Sequence, residues 1–176
     1  MTWETRLLEL FDDLEQQAEG LSLQARDAEV ADLGRAEYAQ VDLASRLHAS
    51  LGVVVTMATP AGQVQGRLAR VGAGWCLVAS GGGEMVVATS AVRRVRGLSS
   101  HSAPEQVRPV VARLGLGSVL RSIAEETTPV AVWDVDGEVH RGVLRRVGTD
   151  FVELDDPEGA GAGLIPFGAM ALVRRR

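Results

Sequence analysis

Hydrophobic and polar positions change period three times along this chain. Trp3, Leu7, Leu10, Leu14 and Leu21 recur at alternating spacings of four and three, with Gln17 as the one polar member of the seam. That spacing puts one apolar stripe on a helix and predicts a coiled-coil face. Thr2 supplies a helix cap, and Glu4 follows it near the positive end of the helix dipole. A second helical pattern over 26–51 sets Val30, Leu33, Val41, Ala44, Leu47 and Leu51 towards one side. Gly52 ends it, because glycine takes the left-handed backbone that closes helices. Residues 1–51 therefore read as an acidic helical hairpin.

From Val53 the pattern becomes that of strands. VVVTMA, QGRLARV, GWCLVAS, EMVVAT and AVRRVRG are short, rich in β-branched residues and separated by turn residues, which predicts five strands within 52–98. The polar stretch SSHSAPEQ opens a helical linker over 99–127, with short helices in VRPVVARL and over 118–126. Strands resume at Pro129 with PVAVWDV, a turn at Asp136–Gly137, EVHRGVLRRV, DFVELDD, a glycine-rich loop EGAGAG, LIPFGAM and ALVRRR. These form a second set over 128–176.

The two sets are copies of one pattern. Gly66, Leu68, Arg70, Val71, Gly72, Trp75 and Val78 match Gly142, Leu144, Arg146, Val147, Gly148, Phe151 and Leu154 at a constant separation of 76. Past the next loop the separation is 78, matching Val86, Val87, Ala91 and Val95 with Leu164, Ile165, Ala169 and Val173. A change confined to a loop marks equivalent strands joined by a hairpin of different length. Gly66 and Gly142 stand inside strands, where a missing Cβ relieves a sharp bend or a close approach of backbones. The expected fold class is α+β: an N-terminal helical hairpin followed by two small five-stranded antiparallel β-barrels, each preceded by a helix.

A helix followed by a bent strand carrying G-x-L-x-x-V, as in Gly66–Val71 and Gly142–Val147, resembles the Sm-like fold and, more broadly, the SH3-like small barrels. The resemblance covers about residues 40–97 and 116–174. It implies assembly into rings and binding of single-stranded RNA. The family's base-contacting Asp and Asn are unmatched, however: Gly72 or Gly148 and Cys76 or Val152 stand near those places. Its Arg-Gly pair is also missing from VVATSAV and LIPFGAM.

Composition narrows the chemistry. Aromatic residues make up only 4% of the 176 residues, so cores must be built from Val, Leu and Ala. No apolar run reaches the roughly 20 residues that span a bilayer. The acidic start is unlike a secretion signal, and Cys76 is the single cysteine, which together predict a cytoplasmic protein without disulfides. Every basic residue is arginine, as expected of a GC-rich bacterial genome. Residues 1–50 carry eleven acids and four arginines, a net −7, whereas 51–176 carry twelve acids and fourteen arginines, a net +2.

Cys76 reads as a core residue of GWCLV. His48, His101 and His140 lack metal-ligand spacing. DVDGE at 134–138 lacks the later glutamate of a calcium loop, with Val143 in its place, and reads as a hairpin. SGGGE at 80–84 lacks the Gly-Lys-Ser/Thr ending of a phosphate loop. No catalytic, metal or cofactor arrangement is predicted. The candidate contact residues are the arginines Arg67, Arg70, Arg93, Arg94, Arg96, Arg141, Arg145 and Arg146. The expected function is a non-catalytic interaction or scaffold protein that binds a protein partner or itself, as a homodimer for example. The alternative is an RNA- or DNA-binding regulator using arginine faces.

Overall fold

A computed structural model describes Arg26, residues 30–156 and residues 161–175. The coiled-coil seam from Trp3 to Leu21 lies outside the described residues. The chain divides into two compact units, 1–41 and 42–176. Within the first, residues 30–38 are helical, Arg35 pairs with Asp32 one turn back, and Val30 and Leu33 are exposed.

The single helix expected over 26–51 is broken. A turn at 39–40 interrupts it, and a six-residue helix α1 (Leu43–His48) starts afresh. Asp42 is the reason: its carboxylate accepts the Ser45 backbone N–H at 2.6 Å, an N-cap inside what the apolar spacing presents as one helix. That hydrogen bond, with a smaller contribution from the Arg108 guanidinium, holds the Asp42 carboxyl below the usual carboxylate range. Among the described residues there is no helical hairpin or coiled coil, which corrects that expectation.

The strands fall close to where the alternation puts them: β1 (Val54–Thr59), β2 (Gly62–Gly72), β3 (Trp75–Ser80), β4 (Gly83–Ala88), β5 (Arg94–Arg96), β6 (Pro129–Asp134), β7 (Val139–Val147), β8 (Phe151–Asp156), β9 (Gly161–Pro166) and β10 (Met170–Arg175). Helix α2 (Leu116–Glu125) precedes the second set. The short helix expected in VRPVVARL is a four-residue 3₁₀ helix, Val110–Arg113, behind Pro109, and another 3₁₀ turn, Glu105–Val107, comes before it. Proline forces its predecessor Arg108 into extended backbone.

All ten strands form one open antiparallel sheet in the order β5-β1-β2-β3-β4-β10-β6-β7-β8-β9. The two separate five-stranded barrels expected from the repeat are therefore wrong. The two halves do repeat one strand order, but they are fused through β4 and β10, where Leu172 lies opposite Val87, Val173 opposite Val86 and Arg174 opposite Met85. The repeat survives in strand register. Leu68 faces Val78 and Leu144 faces Leu154, and both bent strands carry a bulge just beyond, before Arg70 and Arg146. A bulge adds twist and turns the strand, which lets one face wrap a core.

Two large apolar clusters fill the fold, and each draws on both halves. One joins Trp75 and Val86 to Leu120, Ile123, Val130, Val132, Leu144 and Val152. The other gathers Leu47, Val55, Met57, Leu68, Cys76 and Val87, with Leu172 and, at its border, Trp133 from the second half. Two closed barrels would each keep their own tryptophan. Here Trp75 packs in the cluster dominated by the second half and Trp133 against the cluster of the first, so the halves interlock.

Candidate interaction surface

The candidate arginines do not form one patch in the sheet order. Arg67 and Arg70 are on β2, Arg94 and Arg96 on the edge strand β5, and Arg141, Arg145 and Arg146 on β7, separated from β2 by four intervening strands. Arg93 precedes β5, its backbone N–H bonded to the Ala58 carbonyl at 2.9 Å. Several are engaged within the fold. Arg145 pairs with Asp155 at 3.1 Å and Arg146 with Glu153 at 3.8 Å, both across the β7–β8 ladder. Arg67 donates to the Gly52 carbonyl at 2.7 Å. These pairs are solvent-exposed and contribute little to stability. The side chains of Arg70, Arg93, Arg94, Arg96 and Arg141 have no hydrogen bond or ion pair among the described residues.

Asp134, Glu138 and His140 bring one ligand-type atom each within 4.8 Å of one another, at the turn expected to be a hairpin. Asp134 already serves that turn. Its Oδ1 accepts the backbone N–H groups of Asp136 and Glu138 at 3.0 and 2.9 Å, and its Oδ2 lies 3.1 Å from His140 Nε2. The His140 contact is the main reason its carboxyl stays below the usual range. Gly137, at φ +90, completes the reversal.

Cys76 is fully buried, its Sγ 3.8 Å from Met57 Sδ, and burial pushes its thiol up to about 12. Thiolate is the reactive form, so the native protein is expected to resist iodoacetamide at neutral pH and to react only in denaturant. Mass spectrometry of the alkylated chain checks this; rapid labelling of the folded protein would contradict the packing.

The edges of the sheet carry a feature that the arginine pattern does not reveal. The sheet ends at β5 on one side and β9 on the other. On β9, Leu164 is 64% exposed, whereas its repeat equivalent Val86 on β4 is 3% exposed. The difference comes from neighbours: β4 is covered by β10 and by the cluster containing α2, while β9 has β8 alone as a strand partner. Phe151 shows the same contrast in milder form, half-buried where Trp75 is buried. Leu164 also lines a cavity of about 370 Å³ with Asp134, His140, Ile165 and Pro166. On the other edge, Val95 of β5 is half-buried between exposed Arg94 and Arg96.

A larger, mainly apolar cavity of about 520 Å³ opens beside β2, β3 and α2, with His48 and Trp75 among its walls. In sequence, His48 has no metal-binding residue at ligand spacing to single it out. In the fold His48 is 8% exposed and its Nδ1 has no hydrogen-bond partner. Burial, reinforced by the Arg108 charge, makes it less basic than an ordinary histidine. Among the described residues no helix is long and apolar enough to cross a membrane. Comparison with protein-family models and with curated proteins finds no match for the chain.

Proposed function

We propose that this chain is a non-catalytic assembly module that joins copies of itself edge to edge, β9 of one copy adding to β5 of the next. The observation that carries the reading is Leu164, an exposed leucine at the position that is buried at the internal β4–β10 junction. On this reading the sheet holds the filled junction in its middle and, at its two edges β5 and β9, the unfilled halves of the same junction.

Transferring the internal register by the repeat offset of 78 specifies the contact. Arg94 would lie opposite Ile165, Val95 opposite Leu164 and Arg96 opposite Gly163, as Leu172, Val173 and Arg174 lie opposite Val87, Val86 and Met85. Arg174 donates to the Gly82 carbonyl at 3.0 Å across the internal junction, and Arg96 is its equivalent. The added strand satisfies edge N–H and C=O groups and covers Leu164. Arg94, Arg96 and Pro166 discourage indiscriminate pairing, since charge and proline on an edge resist other strands. Glu153 stands where the internal junction has Leu77, so the junction between copies is less apolar and association is concentration-dependent.

Sedimentation velocity over a range of concentrations tests this. The wild-type chain is expected to shift to larger species, and Leu164→Asp to remain monomeric with an unchanged circular dichroism spectrum. Mixing a Val95→Cys chain with a Leu164→Cys chain should give a disulfide-linked pair under mild oxidation, because directly opposed residues of antiparallel strands lie within disulfide reach. A wild-type monomer at every concentration, with no crosslink in the mixture, would remove the proposal.

A further inference from the structure

The cavity beside β2, β3 and α2 is distinct from both sheet edges and has the make-up of a small-molecule site. Its volume of about 520 Å³ lies within the roughly 300–1,000 Å³ of typical ligand pockets. Val71, Trp75, Leu114 and Val119 give it apolar walls, and His48 and Arg70 are its polar members of greatest consequence.

The walls are held in place by hydrogen bonds. Trp75 Nε1 donates to the Leu114 carbonyl at 2.8 Å, and the Ala73 backbone N–H donates to the same oxygen at 3.0 Å. A bridge between Ala73 and Gly115 fastens the linker to the end of β2. The cavity is thus formed before any ligand arrives, which lowers the cost of binding.

Two polar groups are left without protein partners. The His48 Nδ1 is buried and unbonded, an arrangement that proteins seldom keep without a reason. Arg70 is exposed at the cavity and unpaired among the described residues. Glu84 and Glu126 line a smaller neighbouring cavity with Arg70, but Arg175 engages both of them, leaving the Arg70 guanidinium available.

We infer that this cavity binds a small carboxylic acid with an apolar body, the body against Trp75 and Val119 and the carboxylate on Arg70, with His48 as a second polar contact. Guanidinium groups pair with carboxylates through two parallel N–H donors. The apolar walls exclude short, fully hydrophilic acids as good ligands and favour alkyl or aryl acids of medium size.

Octanoate is the probe, with octanamide as its uncharged counterpart and acetate as its truncated one. Nitrogen-15 NMR of the 176-residue chain follows the indole N–H of Trp75, a residue of the cavity wall. Octanoate is expected to shift this resonance saturably, acetate not to, and octanamide to bind about tenfold more weakly. Arg70→Gln, a change at an exposed side chain, should weaken octanoate by a similar factor and leave octanamide unaffected. Equal affinity for octanoate and octanamide, or for the wild type and Arg70→Gln, would overturn the carboxylate assignment. Absence of any saturable shift would overturn the site itself, as would a shift that follows protein concentration without ligand, since another copy would then fill the cavity. Leu164→Asp leaves the cavity intact, so octanoate binding should persist in that variant whether or not copies assemble.

Discussion

Gly142→Ala is expected to lower the thermal midpoint by about 10 °C, corresponding to a loss of roughly 3 kcal/mol. A Cβ at this position would fall 2.9 Å from the Asp155 carbonyl carbon and nearer still to its oxygen. Asp155 is opposite Val143 in the β7–β8 ladder, so the obstacle is backbone fixed by cross-strand hydrogen bonds, and it cannot rotate aside as a side chain could. Gly66→Ala should behave alike, because its Cβ would lie 2.9 Å from the Ala79 carbonyl carbon. Gly168→Ala is the control: nothing lies within 4 Å of its Cβ position, and the melt should move by no more than about 2 °C. Circular dichroism melts of the three variants decide the matter. If Gly142→Ala and Gly168→Ala melt together, the close approach of β7 to β8 is not a constraint on folding.

Those glycines show what could be read from sequence. Their recurrence at a separation of 76 inside strand-like segments marked a backbone approach, and both stand at one, just ahead of matching bulges. Strand alternation was legible where one face is covered, as in Val54–Thr59, whose burial follows period two. The way the edges meet was not legible. A three-residue pairing between 85–87 and 172–174 has no local signature, and the segments that form it would look the same in two closed barrels. The break before Leu43 was hidden for another reason. Apolar spacing continued through it, and a capping hydrogen bond donated by the Ser45 backbone N–H to the Asp42 carboxylate decided the helix start.

The candidate surface was legible in part. Arginine clusters draw attention in sequence because charge is conspicuous, yet Arg145 and Arg146 face the carboxylates of the next strand. The repeat aligns Leu164 with Val86, and what sequence does not supply is that one is covered and the other bare. The His48–Trp75 cavity is assembled from segments around residues 48, 70, 111 and 119. No spacing rule connects such distant stretches, so only the folded chain brings His48 and Arg70 to one cavity.

Leu120→Ala is expected to cost about 3–4 kcal/mol and to weaken both halves of the sheet together. Leu120 is fully buried on α2, in the cluster that joins Trp75 and Val86 of the first half to Val130, Leu144 and Val152 of the second. Removing its branched end leaves a void among side chains anchored on strands from both halves, which limits collapse around it. If the halves were autonomous, the loss would fall on the second alone. The tryptophans distinguish these outcomes, because Trp75 belongs to the first half and Trp133 to the second, while each packs against the opposite cluster. Urea unfolding of chains retaining one of these tryptophans, with Phe at the others, should give coincident transitions in the parent, as a two-state unit requires. Leu120→Ala should displace both midpoints equally. A shift seen at Trp133 but not at Trp75 would mean that β4 and β10 join two independently stable halves, whereas equal shifts mean that the shared core is what makes the repeat one folding unit.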